Sequence, residues 1–322
     1  MALSEFTLID RYFRNSGYRR PDVRLGIGDD AALLDSPAGC DLVAAIDTLV
    51  DGVHFPHGCP AASVGHRVLA VNLSDLAAMG ARPAWALLAL TLPKIDEEWL
   101  TEFAAGFSDL ARSHDVALVG GDTTSGPLCA TVQILGHVPR GQGLLRSGAR
   151  PGDAVFVSGT PGDAAGGLAV EQGRLRAAPD NATYLRKRFL FPTPRMALGK
   201  SLRGFASACI DVSDGLLGDV GKLAHASGCG VELFYRDVPV SEALVEVVGD
   251  ERARELALTG GDDYELCFTV SPGNVEKLRK ELPAEHWGYS LIGTVREAPG
   301  AVVSSDGNVM EFSHSGYDHF GS

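Results

Sequence analysis

The chain has 322 residues, 45% of them apolar and 21% charged, with 41 acidic against 28 basic side chains and a net charge of −13. At roughly 150 residues per domain that length indicates about two domains, and the composition excludes a disordered, collagen-like or coiled-coil chain. The acidic balance argues against a general nucleic-acid binder and against docking on an anionic membrane, since both need a basic face.

The elements follow from periodicity. Ser4 to Asn15 reads as a short amphipathic helix, with Phe6, Ile9 and Phe13 on one side. A glycine turn follows at Gly26-Ile-Gly28-Asp29-Asp30, then a strand at Leu42 to Thr48. Pro60 opens a long helix through Met79, closed by Gly80. Ala84 to Leu92 is a buried strand, Asp96 caps a helix to about His114, and Val116 to Val119 and Leu128 to Val138 are strands. The aperiodic, Gly- and Arg-rich stretch from Arg140 marks a domain boundary, giving domains 1–139 and 153–322 with a linker at 140–152. The second half predicts strands at 154–158, 208–212, 231–235, 264–270 and 289–295, helices near 163–173, 181–190 and 195–206, and a helix capped by Ser213-Asp214 that runs to about Ser227. The class is α+β or α/β, with two halves of similar size. Val71-Asn-Leu-Ser-Asp and Ile210-Asp-Val-Ser-Asp share a local pattern, a hint of duplication.

The N-terminus lacks the apolar stretch of a signal peptide, and the longest apolar run, about nine residues, falls short of the ~20 needed to span a membrane. The six cysteines are scattered without a CxxC pair and read as reduced core residues. A cytoplasmic protein is expected.

Of the 41 acids 25 are Asp, a residue that favours turns, caps and metal sites over solvated helix faces. Glycine is also enriched, at 39 residues. The two occur together in Gly26-x-Gly28-Asp29-Asp30, Gly120-Gly121-Asp122 and Gly260-Gly261-Asp262-Asp263, all read as turns. Glycine allows a ligand to approach the backbone, and the Asp behind it offers a short carboxylate. Asp47, Asp211 and Asp214 lie at element ends, and Asp75 sits inside an apolar helix, where a charge needs a partner or a cation. The pattern suits carboxylates that hold Mg²⁺, which prefers a few carboxylates, waters and phosphate oxygens; the alternative is a set of ordinary turns and caps.

Three lookalikes fail. Gly26-x-Gly28-x-x-Ala31 mimics a dinucleotide fingerprint, but Asp29 and Asp30 stand where pyrophosphate approaches and no helix follows. Gly199-Lys200-Ser201 lacks the first glycine of a phosphate-binding loop, because residue 194 is proline. His54, His57 and Cys59 lack a fourth zinc ligand at suitable spacing.

Nine segments in order, GIGDDAALL, DTLVDGVHF, AVNLSDLAAMGARP, GGDTT, RSGARPGD, SGTPGDAAGGLA, IDVSDGL, GGDDYELCF and GYDHF, resemble the thiamine-monophosphate kinases, within the superfamily of aminoimidazole ribonucleotide synthetase and selenophosphate synthetase. The resemblance covers about Glu5 to Phe320. It implies an α+β, two-domain synthetase-like fold, with an N-terminal α/β domain that forms a barrel in a homodimer and a C-terminal α/β domain. It implies ATP- and Mg²⁺-dependent phosphorylation of thiamine monophosphate to the diphosphate. By the same resemblance, Asp30, Asp47, Asp75, Asp122, Asp211 and Asp214 match metal positions. Gly121, Asp122, Arg146 and Ser213 match ATP contacts, and His54, Asp262 and Tyr317 match substrate contacts. Another ATP-dependent synthetase of the superfamily, or an inactive nucleotide-binding module, are the alternatives. Two departures stand out. Ala45 and Ile46 replace hydroxyl residues of the family, leaving only backbone carbonyls as ligands there, and Asp262 stands where the family often has Glu. The acceptor phosphate is already anionic near neutral pH, so direct in-line transfer with no general base and no phosphoenzyme is expected.

Overall fold

The computed structural model describes residues 5–312 and 314–317, without the side chains of Glu5 and Phe6. These residues fall into two compact units, the first within Met1–Leu76 and Ala81–Gly141, the second within Ala77–Gly80 and Gln142–Ser322.

In chain order the first unit holds α1 (Glu5–Leu8), which continues as a π-helical turn Ile9–Phe13, then β1 (Val23–Leu25), β2 (Leu33–Leu34), β3 (Cys40–Val50), α2 (Ala61–Ala78), β4 (Arg82–Leu92), α3 (Glu97–Ser113), β5 (Ala117–Ser125) and β6 (Cys129–Pro139). The single helix expected over 4–15 is therefore broken in type. Asp96 caps α3 as expected, its carboxylate accepting the Trp99 N–H at 3.2 Å.

β3, β6, β4 and β5 form, in that order, an open four-stranded sheet, antiparallel except for the β4–β5 pair. Among the described residues no closed barrel is present within the one chain. Side-chain alternation gives the sheet two distinct faces. Along β6, Val132 and Ile134 are fully buried, whereas Thr131, Gln133 and Leu135 line an open cavity. The register pairs Ile46 with Gln133 and Thr48 with Thr131, which puts them on the cavity face; Asp47 pairs with Val132 and belongs to the buried face.

The second unit holds β7 (Ala154–Ser158), α4 (Asp163–Glu171), α5 (Pro179–Leu190), α6 (Met196–Ser201), β8 (Ala206–Val212), α7 (Leu216–Ser227), β9 (Gly230–Phe234), α8 (Glu242–Val248), α9 (Asp250–Thr259), β10 (Glu265–Val270), α10 (Pro272–Glu281), α11 (Ala284–Trp287), β11 (Tyr289–Arg296), β12 (Gly300–Ser305) and β13 (Asn308–Met310). Its strands form a seven-stranded sheet, ordered β13-β12-β9-β11-β7-β10-β8, with only β12–β9 parallel. Both faces are buried, as the continuous apolar run of β7 requires. Val155 and Val157 pack with Leu216, Val220 and Leu223 of α7, while Phe156 stacks on Phe268 at 5.4 Å and meets Tyr289 edge-on. Four of the cysteines, Cys59, Cys209, Cys229 and Cys267, are buried, Cys40 and Cys129 are half-buried, and all six are free thiols. Among the described residues no helix is long and apolar enough to cross a membrane.

Candidate functional site

In the first unit, three of the expected residues share one cavity of about 970 Å³. Asp30, Gly121 and Asp122 line it, together with Gly28, Asp29, Ile46, Gln133 and Arg14. Asp122 comes from the middle of β5, so Gly120-Gly121-Asp122 is not a turn as expected; it is strand, paired with Leu87, Leu88 and Ala89 of β4. Glycine at 121 serves close approach all the same. Its φ is +148°, and a Cβ there would lie 1.8 Å from the Leu88 carbonyl oxygen. The glycine thus lets β4 lie close against β5, and Gly121 itself is exposed and lines the cavity beside the Asp122 carboxylate. The Gly26–Asp30 loop is a true turn, and Arg14 fastens it by donating from Nη1 to the Ile27 carbonyl at 2.9 Å while Nε holds Asp10 at 2.6 Å. No sequence pattern singles out Arg14, a polar residue on a short helix.

Asp47 and Asp75 do not line this cavity. Asp47 belongs to the opposite sheet face, and Asp75 is half-buried on α2. Ile46, which with Ala45 forms the first departure, is 63% exposed on the cavity face. His54 sits in the turn after β3. Its Nδ1 accepts the Val50 N–H at 3.0 Å and its carbonyl accepts from the buried Arg67 at 3.3 Å, so in the neutral ring Nε2 carries the proton and is the donor.

In the second unit, Ser213, Asp214, Asp262 and Tyr317 are brought together by main-chain bonds. The Asp262 N–H donates to the Ser213 carbonyl, the Tyr264 N–H to Val212, and the Tyr317 N–H to Asp214, each at 2.8 Å. A Cβ at Gly218 would meet the Ser315 carbonyl at 2.8 Å, so glycine in the first turn of α7 lets the C-terminal segment lie against it. Asp318, His319 and Phe320 of the last motif lie outside the described residues. Asp211 is buried at the end of β8. Arg146 is exposed, its carbonyl accepting from Ser227 Oγ at 3.0 Å.

Ser213 and Asp214 do not cap α7 as expected. The N-cap is Gly215, at φ 126°, without a side-chain bond. The capping logic is inverted. Buried Asp219, inside the helix, accepts the N–H groups of Ser213 and Asp214 at 2.9 and 3.0 Å, and Lys222 Nζ joins Asp214 at 2.5 Å and Asp219 at 2.8 Å. Burial pushes the Asp219 carboxyl up, against the pull of Lys222.

The Gly260–Asp263 loop is held under strain. Asp262 and Tyr264 both have positive φ, 72° and 53°, which is uncommon for Asp and exceptional for a bulky aromatic residue. Asp263 anchors it from behind by accepting the N–H groups of Gly162 and Ala164 at the start of α4, at 2.6 and 3.1 Å. Glu265, fully buried, receives Ser158, Arg188 and Arg195 at 2.5 to 2.7 Å. Burial opposes its ionisation, but the two guanidinium groups outweigh that and hold its carboxyl below the usual range.

Among the described residues no three His, Cys, Asp or Glu side chains gather closely enough to hold a metal ion by themselves. The donor set is nevertheless hard oxygen throughout, which suits Mg²⁺, an ion usually held by one or two carboxylates with the remainder from water and phosphate.

Comparison with known proteins decides the family. Residues 28–138 match the AIR synthase related protein N-terminal domain, and residues 150–306 its C-terminal domain. The thiamine-monophosphate kinase of Salmonella typhimurium is 48% identical over 99% of both chains. The chain belongs to the thiamine-monophosphate kinase family. The crystal structure of thiamine-monophosphate kinase from Stenotrophomonas maltophilia K279a superposes with a TM-score of 0.86 at 49% identity, covering 96% of this chain and 99% of that one. AaThiL complexed with AMPPCP and TMP gives 0.77 at 33% identity, covering 91% and 92%. Family membership accounts for the two-unit α+β architecture and for the order of the nine sequence segments.

Proposed function

We propose that this chain transfers the γ-phosphoryl group of ATP directly onto the phosphate of thiamine monophosphate, giving thiamine diphosphate, the last step in forming that cofactor. The observation that carries this reading is the likeness to thiamine-monophosphate kinases over 99% of the chain. The AaThiL complex with a nucleotide analogue and TMP supports the same pair of substrates.

The chemistry asks little of the protein as an acid or base. A phosphate monoester has its second pKa near 6, so the attacking oxygen is already anionic at neutral pH. The difficulty is charge, since about −4 on ATP must meet about −2 on the acceptor. Positioning and neutralisation then dominate. In our reading Asp30, Asp47, Asp75, Asp122, Asp211 and Asp214 hold Mg²⁺. When bound, Mg²⁺ would supply neutralisation of the phosphate charge. Gly121 offers open backbone and Asp122 its carboxylate beside the nucleotide, and Arg146 and Ser213 contact its phosphates. His54 presents Nε2–H to the acceptor phosphate, Asp262 pairs with the aminopyrimidine, and Tyr317, half its surface exposed, offers a ring face to the cationic thiazolium.

A homodimer is part of the proposal. Its support is apolar surface on β3, where Leu42 and Ile46 are 56% and 63% exposed; Ile46 also lines the cavity, so a second copy seated there would lie beside it. We place the enzyme in the cytoplasm. The test is incubation with ATP, Mg²⁺ and thiamine monophosphate, with thiamine diphosphate read by chromatography. Product formation is expected; ATP turnover with an aminoimidazole precursor and none with thiamine monophosphate would favour the sister synthetase activity.

A further inference from the structure

Lys222 belongs to none of the sequence motifs, yet its ammonium sits on one of the carboxylates assigned to metal. Nζ lies 2.5 Å from Asp214 Oδ2 and 2.8 Å from Asp219 Oδ1. The two carboxylates are not equivalent. Asp219 is buried, and its second oxygen is committed to the Ser213 and Asp214 N–H groups. Asp214 is 37% exposed, as a ligand for an incoming ion must be, and the lysine side chain is 46% exposed.

We propose that Lys222 is an internal counter-cation for Asp214, which a divalent metal must displace in order to bind. The inference rests on the reading of Asp214 as a metal-holding residue. An ammonium and a divalent ion cannot both occupy Asp214 Oδ2 at contact distance without strong repulsion. The lysine can leave: its flexible four-carbon stem swings a compact charge into water. The turn itself stays in place when it does, because Asp219 holds that turn through main-chain bonds that do not involve the ammonium. Lys222 thereby lowers the self-repulsion of an acidic site and sets a threshold for metal entry.

The test is Mn²⁺ binding to the full-length, nucleotide-free protein, followed by electron paramagnetic resonance, for the wild type, Lys222→Gln, Asp214→Asn and the double variant. Lys222→Gln also takes the cation from buried Asp219, whose bonds from the Ser213 and Asp214 N–H groups remain, and circular dichroism checks the fold. Lys222→Gln is expected to tighten Mn²⁺ binding about tenfold, a typical coupling between two competing charges, and to have no effect in the Asp214→Asn background. Unchanged or weaker binding in Lys222→Gln overturns the proposal, and so does an equal gain in both backgrounds. If Asp214→Asn leaves Mn²⁺ stoichiometry and affinity unaltered, the metal assignment of Asp214 fails, and the counter-cation role fails with it.

Discussion

The main-chain N–H of Tyr317 donates a 2.8 Å hydrogen bond to the carbonyl oxygen of Asp214. A residue expected to touch the organic end of the substrate is thus tied to one expected to hold metal. The ring of Tyr317 contributes by its face, so Tyr317→Ala is expected to raise KM for thiamine monophosphate about tenfold, equivalent to about 1.4 kcal/mol, with KM for ATP little changed. Tyr317→Phe keeps the face and is expected to remain near wild type. Steady-state kinetics with each substrate varied checks both.

Asp75 tests the carboxylate set from within a helix. Asp75→Asn preserves shape and removes charge, and turnover is expected to fall by at least ~100-fold, the scale seen when a charge-stabilising group is lost, while the melting temperature stays close to wild type. Full activity in that variant removes Asp75 from the set.

Gly121→Ala places a methyl group against the Leu88 carbonyl at a φ of +148°. Overpacking of this kind costs typically about 1–3 kcal/mol, so a lower urea midpoint is expected together with a higher KM for ATP. Gly120→Ala meets only the end of the Leu87 side chain and is expected to be milder on both counts.

The Glu265 cluster carries a pH signature. Because Arg195 and Arg188 hold the folded carboxyl below its usual range, its stabilisation is complete above the unfolded side chain's pKa of about 4.3 and is lost as pH falls through the lower folded value. Glu265→Gln leaves two guanidinium groups without their shared carboxylate and is expected to cost on the order of 3 kcal/mol at pH 7. Urea unfolding across pH should show that deficit narrowing only below about pH 4.3. A deficit that grows as pH falls contradicts this account.

Much of the fold was legible because it obeys simple periods. The apolar run that marks β4, the proline and glycine that bound α2 and the Asp96 cap all act locally. The site was legible by residue but less so by conformation. Gly120-Gly121-Asp122 has turn composition, yet strand pairing with Leu87 to Ala89 overrides it. Ser213-Asp214 has cap composition, yet Asp219, five residues beyond Asp214, captures their N–H groups instead. Arg14, Lys222 and the Arg188–Arg195–Glu265 cluster were invisible for a different reason. Their roles come from partners brought close by tertiary packing or helical turns, and a lone Lys or Arg on a helix carries no local signal of such a partner.

The central claim is direct transfer of phosphoryl from ATP to thiamine monophosphate. A single turnover with γ-labelled ATP, quenched in acid and resolved into protein and small-molecule fractions over time, tests it most directly. The account predicts that label passes from ATP into the terminal phosphate of thiamine diphosphate with none on the protein at any time. Label trapped on the protein before the diphosphate appears, or released as inorganic phosphate without it, would contradict it.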